Sequence, residues 1–149
     1  MTREEIVDAL NNALNAELAA VEMYSAHARA IQQPGIAQAV QAIRDVEQGH
    51  ARALAERVRA LGGEPVVAGG AATVAGRAAG AVTAQMGTVE MLRLELAEEQ
   101  KAILDYAKSI AHIMDDEGTM DLLEEHLLDE MRHAGWMKAR ILELERKPS

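Results

Sequence analysis

Glu99-Gln-Lys-Ala-Ile-Leu-Asp-Tyr106 is followed by Glu130-Met-Arg-His133, and the same order of residues occurs earlier as Glu17-Leu-Ala-Ala-Val-Glu-Met-Tyr24 and Glu47-Gln-Gly-His50. Glutamate precedes tyrosine by seven residues in both copies. It precedes the glutamate of the Glu-x-x-His pair by 30 residues in the first copy and 31 in the second. The chain therefore reads as an internal repeat of two helical hairpins. Each hairpin carries a carboxylate on one helix and a carboxylate with an imidazole on the other.

The flanking residues supply the helices. Thr2-Arg-Glu-Glu5 has the spacing of a capping box. From it Ile6, Leu10, Leu14, Glu17, Val21, Tyr24 and Ile31 recur at steps near three and four, the signature of one helical face. Pro34-Gly35 interrupts that face. A second runs through Ile36, Val40, Ile43, Glu47, His50, Leu54 and Val58 to Gly62-Gly63. The third holds Leu92, Leu96, Glu99, Ile103, Tyr106 and Ile110; the fourth holds Leu123, His126, Glu130, His133, Met137 and Ile141. Between the hairpins, residues 63–87 are rich in Gly, Ala and Val, and Arg77 is the only charge after Glu64. That composition suits an ordered apolar crossover, with a short Ala-rich helix near Thr73 to Gln85, rather than a polar flexible linker. The alternative is a surface that meets a partner subunit or lipid. The expected architecture is all-α: one domain, 1–149, with helices at about 3–32, 35–62, 88–115 and 119–146 forming a four-helix bundle with a long crossover between helices 2 and 3.

Composition agrees. At 149 residues the chain can bury a sizeable core, and with no Phe, one Trp and two Tyr that core is built from aliphatic residues and Met. Zero cysteines exclude disulfides, iron–sulfur clusters and thiol catalysis. A net charge of -9 disfavours nucleic acid and anionic membranes as partners. The N-terminus has no signal-peptide character, and no apolar run is long enough to span a bilayer, so a cytoplasmic protein is expected.

Glu17, Glu47, Glu99 and Glu130 each stand in an apolar seam where Leu or Ile would be expected. Burying one unpaired carboxylate costs several kcal/mol, and four converging would also repel each other. A pair of cations resolves both problems. Residues at i and i+3 share a helix face, so Glu47 with His50, and Glu130 with His133, can each grip one metal, while Glu17 and Glu99 complete or bridge the pair. Four carboxylates and two imidazoles make the di-iron or di-manganese carboxylate pattern. One Glu-x-x-His alone is weak and is often a solvated face. The bland alternative, a metal-free bundle with exposed acids, must explain why all six residues fall on the apolar phase.

Neighbouring residues carry lesser expectations. Glu98 is off the seam; Glu95, one turn before Glu99, reads as support for a ligand or as an extra ligand. His126 reads as a hydrogen-bonded core histidine, or else an auxiliary ligand. Tyr24 and Tyr106 are either core residues or hydroxyls near the metals, able to hydrogen-bond a ligand carboxylate or supply an electron; on the second reading they are the candidate catalytic residues. His27 and His112 are expected at the surface or in packing, and Trp136 in the core. A metal-bound histidine usually donates its other nitrogen to an oxygen. Asp129 is placed to receive it from His50, whereas the equivalent position in the other hairpin is Val46, beside Asp45. The two metal positions are therefore expected to differ.

Asn15-Ala-Glu17-Leu-Ala-Ala-Val-Glu-Met-Tyr24, Asp45-Val-Glu47-Gln-Gly-His50, Glu90-Met-Leu-Arg93 and Asp129-Glu130-Met-Arg-His133 resemble the ligand helices of the ferritin-like superfamily, and within it bacterioferritins and rubrerythrins. The resemblance covers nearly the whole chain except the crossover. It implies a dinuclear iron site, with manganese as an alternative, that reacts with O2 or H2O2 as a peroxidase or ferroxidase. It leaves iron storage and a catalase-like manganese enzyme as rivals. Gln48 follows Glu47 where bacterioferritins place a haem-ligating methionine, so no haem is expected. No rubredoxin-type iron is expected without cysteine, and electrons would come from an external donor or from further ferrous iron. Rubrerythrins use an additional glutamate ligand, for which Glu95 is the nearest candidate. The chain ends shortly after the fourth helix, without the fifth helix of ferritin cages, so a homodimer is expected rather than a shell.

Overall fold

The computed structural model describes residues 1–146; the last three positions of the expected domain lie outside them. Five helices follow one another: α1 (Arg3–Ala30), α2 (Pro34–Ala60), α3 (Ala71–Thr83), α4 (Thr88–His112) and α5 (Glu117–Arg146). The four long ones form the bundle and α3 belongs to the crossover. Among the described residues no helix is long and apolar enough to cross a membrane.

Local chemistry fixes the ends. Thr2 Oγ1 accepts from Glu5 N at 3.1 Å and Glu5 Oε2 accepts from Thr2 N at 2.8 Å, which completes the capping box of α1. Pro34 opens α2, where its missing N–H is no loss. Gly62 closes α2 at φ 83, with Gly63 N donating to Val58 O and Gly62 N to Arg59 O, both at 2.9 Å. This is a Schellman ending, and only glycine takes that backbone without cost. Helix α4 stops at His112, short of the expected 115, because Ile113 leaves helical geometry at ψ 126. Helix α5 begins at Glu117, ahead of the expected 119, because Asp116 Oδ1 accepts from Thr119 N at 3.0 Å. Arg57 of α2 ties this cap to the other hairpin, donating to Asp116 at 2.7 Å and to Thr119 at 2.9 Å.

The crossover lies against α1. Asn11 holds its first part, donating to Glu64 O at 3.0 Å and accepting from Val66 N at 2.9 Å. Helix α3 then packs on α1 through Gly76 and Gly80. A Cβ at position 76 would stand 2.3 Å from Ala19 O. Gly76→Ala should therefore force the two helices apart and destabilise the fold by about 2 kcal/mol, the usual cost of overpacking. Denaturant unfolding measures this, and a neutral substitution would mean that α3 is free to shift.

The core has two apolar clusters. One gathers Tyr24, Ile31, Val40, Ile43, Met91, Leu92, Met137 and Ile141, with Trp136 packed against it. The other gathers Ile6, Leu10, Leu14, Leu54, Val58, Tyr106, Ile113 and Leu123. The seam acids and histidines separate them.

Candidate metal centre

Each long helix brings one glutamate to this layer: Glu17 from α1, Glu47 from α2, Glu99 from α4 and Glu130 from α5. His50 and His133 follow one turn after Glu47 and Glu130. All six are buried, the most open being His133 at 8% exposure. They fall into two groups. Glu17, Glu47, His50 and Glu130 offer ligand atoms that all lie within 4.8 Å of one another, and so do Glu47, Glu99, Glu130 and His133. Glu47 and Glu130 belong to both groups. The shared position thus lies on the Glu-x-x-His helices, not with Glu17 and Glu99. The reason is helical: each imidazole stands about 4.5 Å along the axis from its own glutamate and takes the outer end of one group, which leaves the glutamate between the two.

Each of the six has one buried polar atom with no hydrogen-bond partner: Glu17 Oε2, Glu47 Oε1, His50 Nδ1, Glu99 Oε2, Glu130 Oε1 and His133 Nδ1. His133 Nδ1 lies 3.0 Å from Glu47 Oε1, and His50 Nδ1 lies 3.3 Å from Glu130 Oε1. These are ion-pair distances, but the directions do not suit hydrogen bonds.

Around this layer the contacts orient it. Asp129 Oδ2 sits 2.9 Å from His50 Nε2, as the sequence suggests. Among the described residues no such partner stands at His133; Val46, at the equivalent position, is 37% exposed, and Asp45 pairs with Arg44 instead. The tyrosines cross over between halves. Tyr106 of α4 donates to Glu17 of α1 at 2.8 Å, and Tyr24 of α1 donates to Glu99 of α4 at 3.3 Å. His126 is a hydrogen-bonded core histidine: Nδ1 is 3.2 Å from the Tyr106 hydroxyl, and the ring stacks on His50 with centroids 3.9 Å apart. His112 is exposed.

His27 takes the packing alternative rather than the surface one. It is fully buried, with Nδ1 2.6 Å from Glu95 Oε2 and Nε2 2.6 Å from Thr83 Oγ1 of α3. Its position three residues after Tyr24 was the available signal, since that places it on the seam. Glu95 is also fully buried and stands outside both four-residue groups, bound to His27.

Burial and mutual contact set the protonation of the layer. Burial pushes Glu47 well above the usual carboxylate range, with Glu17 adding to the effect, and pushes Glu99 up to about 9. Burial opposes charge on His133, but Glu130, Glu47 and Glu99 outweigh it and lift its pKa to about 11. His50 is raised for the same reason, with Glu130 and Glu17 foremost among its carboxylates. Burial likewise opposes charge on Glu130, yet His133 and His50 hold it below the ordinary range. Burial and then the charge of His50 lower His126 to about 3, which keeps it neutral. Burial, followed by the nearby carboxylates, raises both tyrosines, so their hydroxyls stay protonated.

These shifts set a pH dependence. His133 and Glu99 bind their protons more tightly when folded, so the stability they add is present at low pH and is lost as pH rises from 6.5 towards about 11 and from 4.5 towards about 9. Glu130 has the opposite sign, and its contribution is lost only in acid. The Tm of the chelator-treated protein should therefore fall between roughly pH 6 and pH 9. A Tm that rises over this interval, followed by circular dichroism, would contradict the imidazolium–carboxylate layer.

A helical bundle with a carboxylate and imidazole layer in its core defines the class. The ferritin-like domain model matches residues 7–147, and the chain belongs to the ferritin-like domain family. No curated protein matches it significantly. Among solved structures it is similar to the dodecameric thioferritin, a bacterioferritin-related protein of Bacteroides fragilis, at TM-score 0.83 and 21% identity, over 98% of this chain and 89% of that one. Rhodobacter capsulatus bacterioferritin, described with a metal-free dinuclear site and haem iron, gives TM-score 0.78 at 23% identity, over 96% and 87% of the two chains. A ferritin-like di-iron carboxylate protein of Bacillus anthracis gives TM-score 0.75 at 24% identity, over 95% and 99%. At these identities the similarity is one of fold.

Proposed function

We propose that the protein binds two iron ions and reduces dioxygen or hydrogen peroxide, as a rubrerythrin-like peroxidase or a ferroxidase. The observation that carries this reading is the set of six buried, unpartnered ligand atoms converging from four helices. Such atoms are costly in a core unless a cation meets them. The donor set fits: oxygen and imidazole ligands suit iron or manganese. Glu17, Glu47, His50 and Glu130 would hold one ion and Glu47, Glu99, Glu130 and His133 the other. Ferrous ions held by these residues would supply two electrons to the oxidant. The description of the Bacillus anthracis relative as a di-iron carboxylate protein supports the choice of iron.

The chain's own groups hold and tune the site. Asp129 orients His50. Tyr24 and Tyr106 orient the outer carboxylates, and they are the groups placed to yield an electron or proton beside them. Gln48 offers no thioether for haem; its side-chain oxygen accepts from Arg44 at 2.8 Å.

Anaerobic protein loaded with two equivalents of ferrous iron and then given H2O2 should develop near-ultraviolet ferric absorption, at about two ferrous ions oxidised per peroxide. Metal analysis supplies an independent readout. Protein that binds iron but leaves it ferrous would refute the redox reading. Manganese-loaded protein that evolves oxygen from peroxide would favour the catalase-like alternative. A second reading, iron deposition in a cage, is favoured by the likeness to a thioferritin described as dodecameric. Size exclusion separates that cage from the homodimer proposed here.

The two positions should bind with different affinities. Asp129→Asn should weaken the ion beside His50 by about 10–100-fold and spare the other. A calorimetric titration with identical affinities before and after would contradict the inequivalence.

A further inference from the structure

A shift of 82 residues maps Glu17 onto Glu99 and Tyr24 onto Tyr106. The same shift maps Ala13 onto Glu95 and His27 onto Ser109. The halves therefore carry the same centre but fill the space beside it differently. In one half the fully buried His27–Glu95 pair occupies the α1–α4 interface, and Thr83 of α3 bonds to it. In the other half Ala13 and Ser109 stand in those places and line a cavity of about 960 Å³ between α1 and α4.

That cavity reaches the centre. Glu17 and Tyr106 line it. Glu17 is 3% exposed, its Oε1 is held by Tyr106, and its Oε2 has no partner. The outer lining sets four carboxylates, Glu5, Asp8, Glu98 and Asp105, against three cations, Lys101, Lys108 and the N-terminal ammonium, a small acidic excess. Lys101 is paired with Asp105 at 2.9 Å, and the N-terminal ammonium donates to His112 O at 3.1 Å. A hydrated divalent cation with six waters needs roughly 200 Å³, so the space admits one with its shell intact.

We infer that the cavity between α1 and α4 is the route by which hydrated divalent cations reach the centre, with Glu17 as the first carboxylate they meet, and that the His27–Glu95 pair plugs the equivalent route in the other half. At the rim the carboxylates Asp8 and Glu98, unpaired among the described residues, favour cations over anions. Glu17, oriented through one oxygen, keeps the other free of hydrogen bonds for the arriving ion. The inference rests on the dinuclear reading of the centre.

Stopped-flow mixing with Co2+, followed by its visible absorption, tests the route by separating uptake rate from final occupancy. Ala13 and Ala102 line the cavity beside Glu17 and Tyr106, and Ala13→Leu with Ala102→Leu should narrow the passage there and slow uptake by about tenfold, with two ions per chain still bound at the end. Glu5→Gln, Asp8→Asn and Glu98→Gln are exposed substitutions that spare the fold; together they should slow uptake several-fold at low salt and flatten its salt dependence. Unchanged rates in the narrowed variant overturn the route. Should that variant fail to fold, an unchanged low-salt rate in the rim variant overturns it instead. Wild-type protein that takes up no Co2+ refutes the dinuclear reading itself, a result distinct from either.

Discussion

Ferrous or manganous ion in free excess at about a thousand times its dissociation constant should raise the Tm of the metal-free protein by about 15–30 °C. A ligand present at a thousand times its dissociation constant adds about 4.1 kcal/mol per site, so two sites add about 8 kcal/mol. For a chain of this size 1 kcal/mol moves Tm by about 2–4 °C. The effect is large because the alternative is poor. Without cations the layer holds four carboxylates and two histidines, and it is kept compatible only by bound protons. On the dinuclear reading, cations would replace those protons and meet all six unpartnered atoms. Metal binding should accordingly release protons, and the gain in Tm should shrink in acid. Scanning calorimetry with and without chelator measures it, and a Tm indifferent to metal would remove the basis for a centre.

The second large effect separates shared from unshared ligands. Glu130→Ala should abolish binding of both ions, whereas Glu17→Ala should cost only the ion beside His50. Glu130 faces both histidines, at 3.3 Å from His50 Nδ1 and 3.6 Å from His133 Nδ1, and it belongs to both four-residue groups. Its loss also leaves two buried imidazoliums short of a counter-charge, so the metal-free variant should lose about 3–5 kcal/mol of stability. Glu17 serves one group, and its neighbour Tyr106 can turn to His126. Metal analysis after gel filtration reads the stoichiometry. Two ions retained by Glu130→Ala would mean that the ligand assignment is wrong.

The bundle is legible in the chain because helical phase is a local property. Leu10, Leu14 and Glu17 announce a buried face at three- and four-residue steps, and a glutamate in that phase must be compensated somewhere. The doubled spacing singles out Glu99 from Glu95 and Glu98. What phase cannot convey is which helix faces which. Glu47 and Glu130 become the shared carboxylates only when α2 and α5 are opposed. Glu95 finds His27 only when α1 meets α4, although each alone sits on its seam. The hold of Arg57 on Asp116 and Thr119 joins two turns far apart in sequence. The fit of Gly76 against Ala19 depends on a helix-to-helix approach that composition suggests only as an abundance of small residues.

The polar layer that divides the apolar interior has a dynamic consequence. The metal-free molecule has two hydrophobic cores joined end to end, and cooperativity passes between them only along the helix backbones and through a layer held by protons. Each end can then open as its own unit, so amide exchange near Leu54 and near Met91 reports separate opening energies. On the dinuclear reading, ions bound at the layer would couple the two ends and turn two local opening events into one global one. The loading state of the centre would then set the size of the cooperative folding unit.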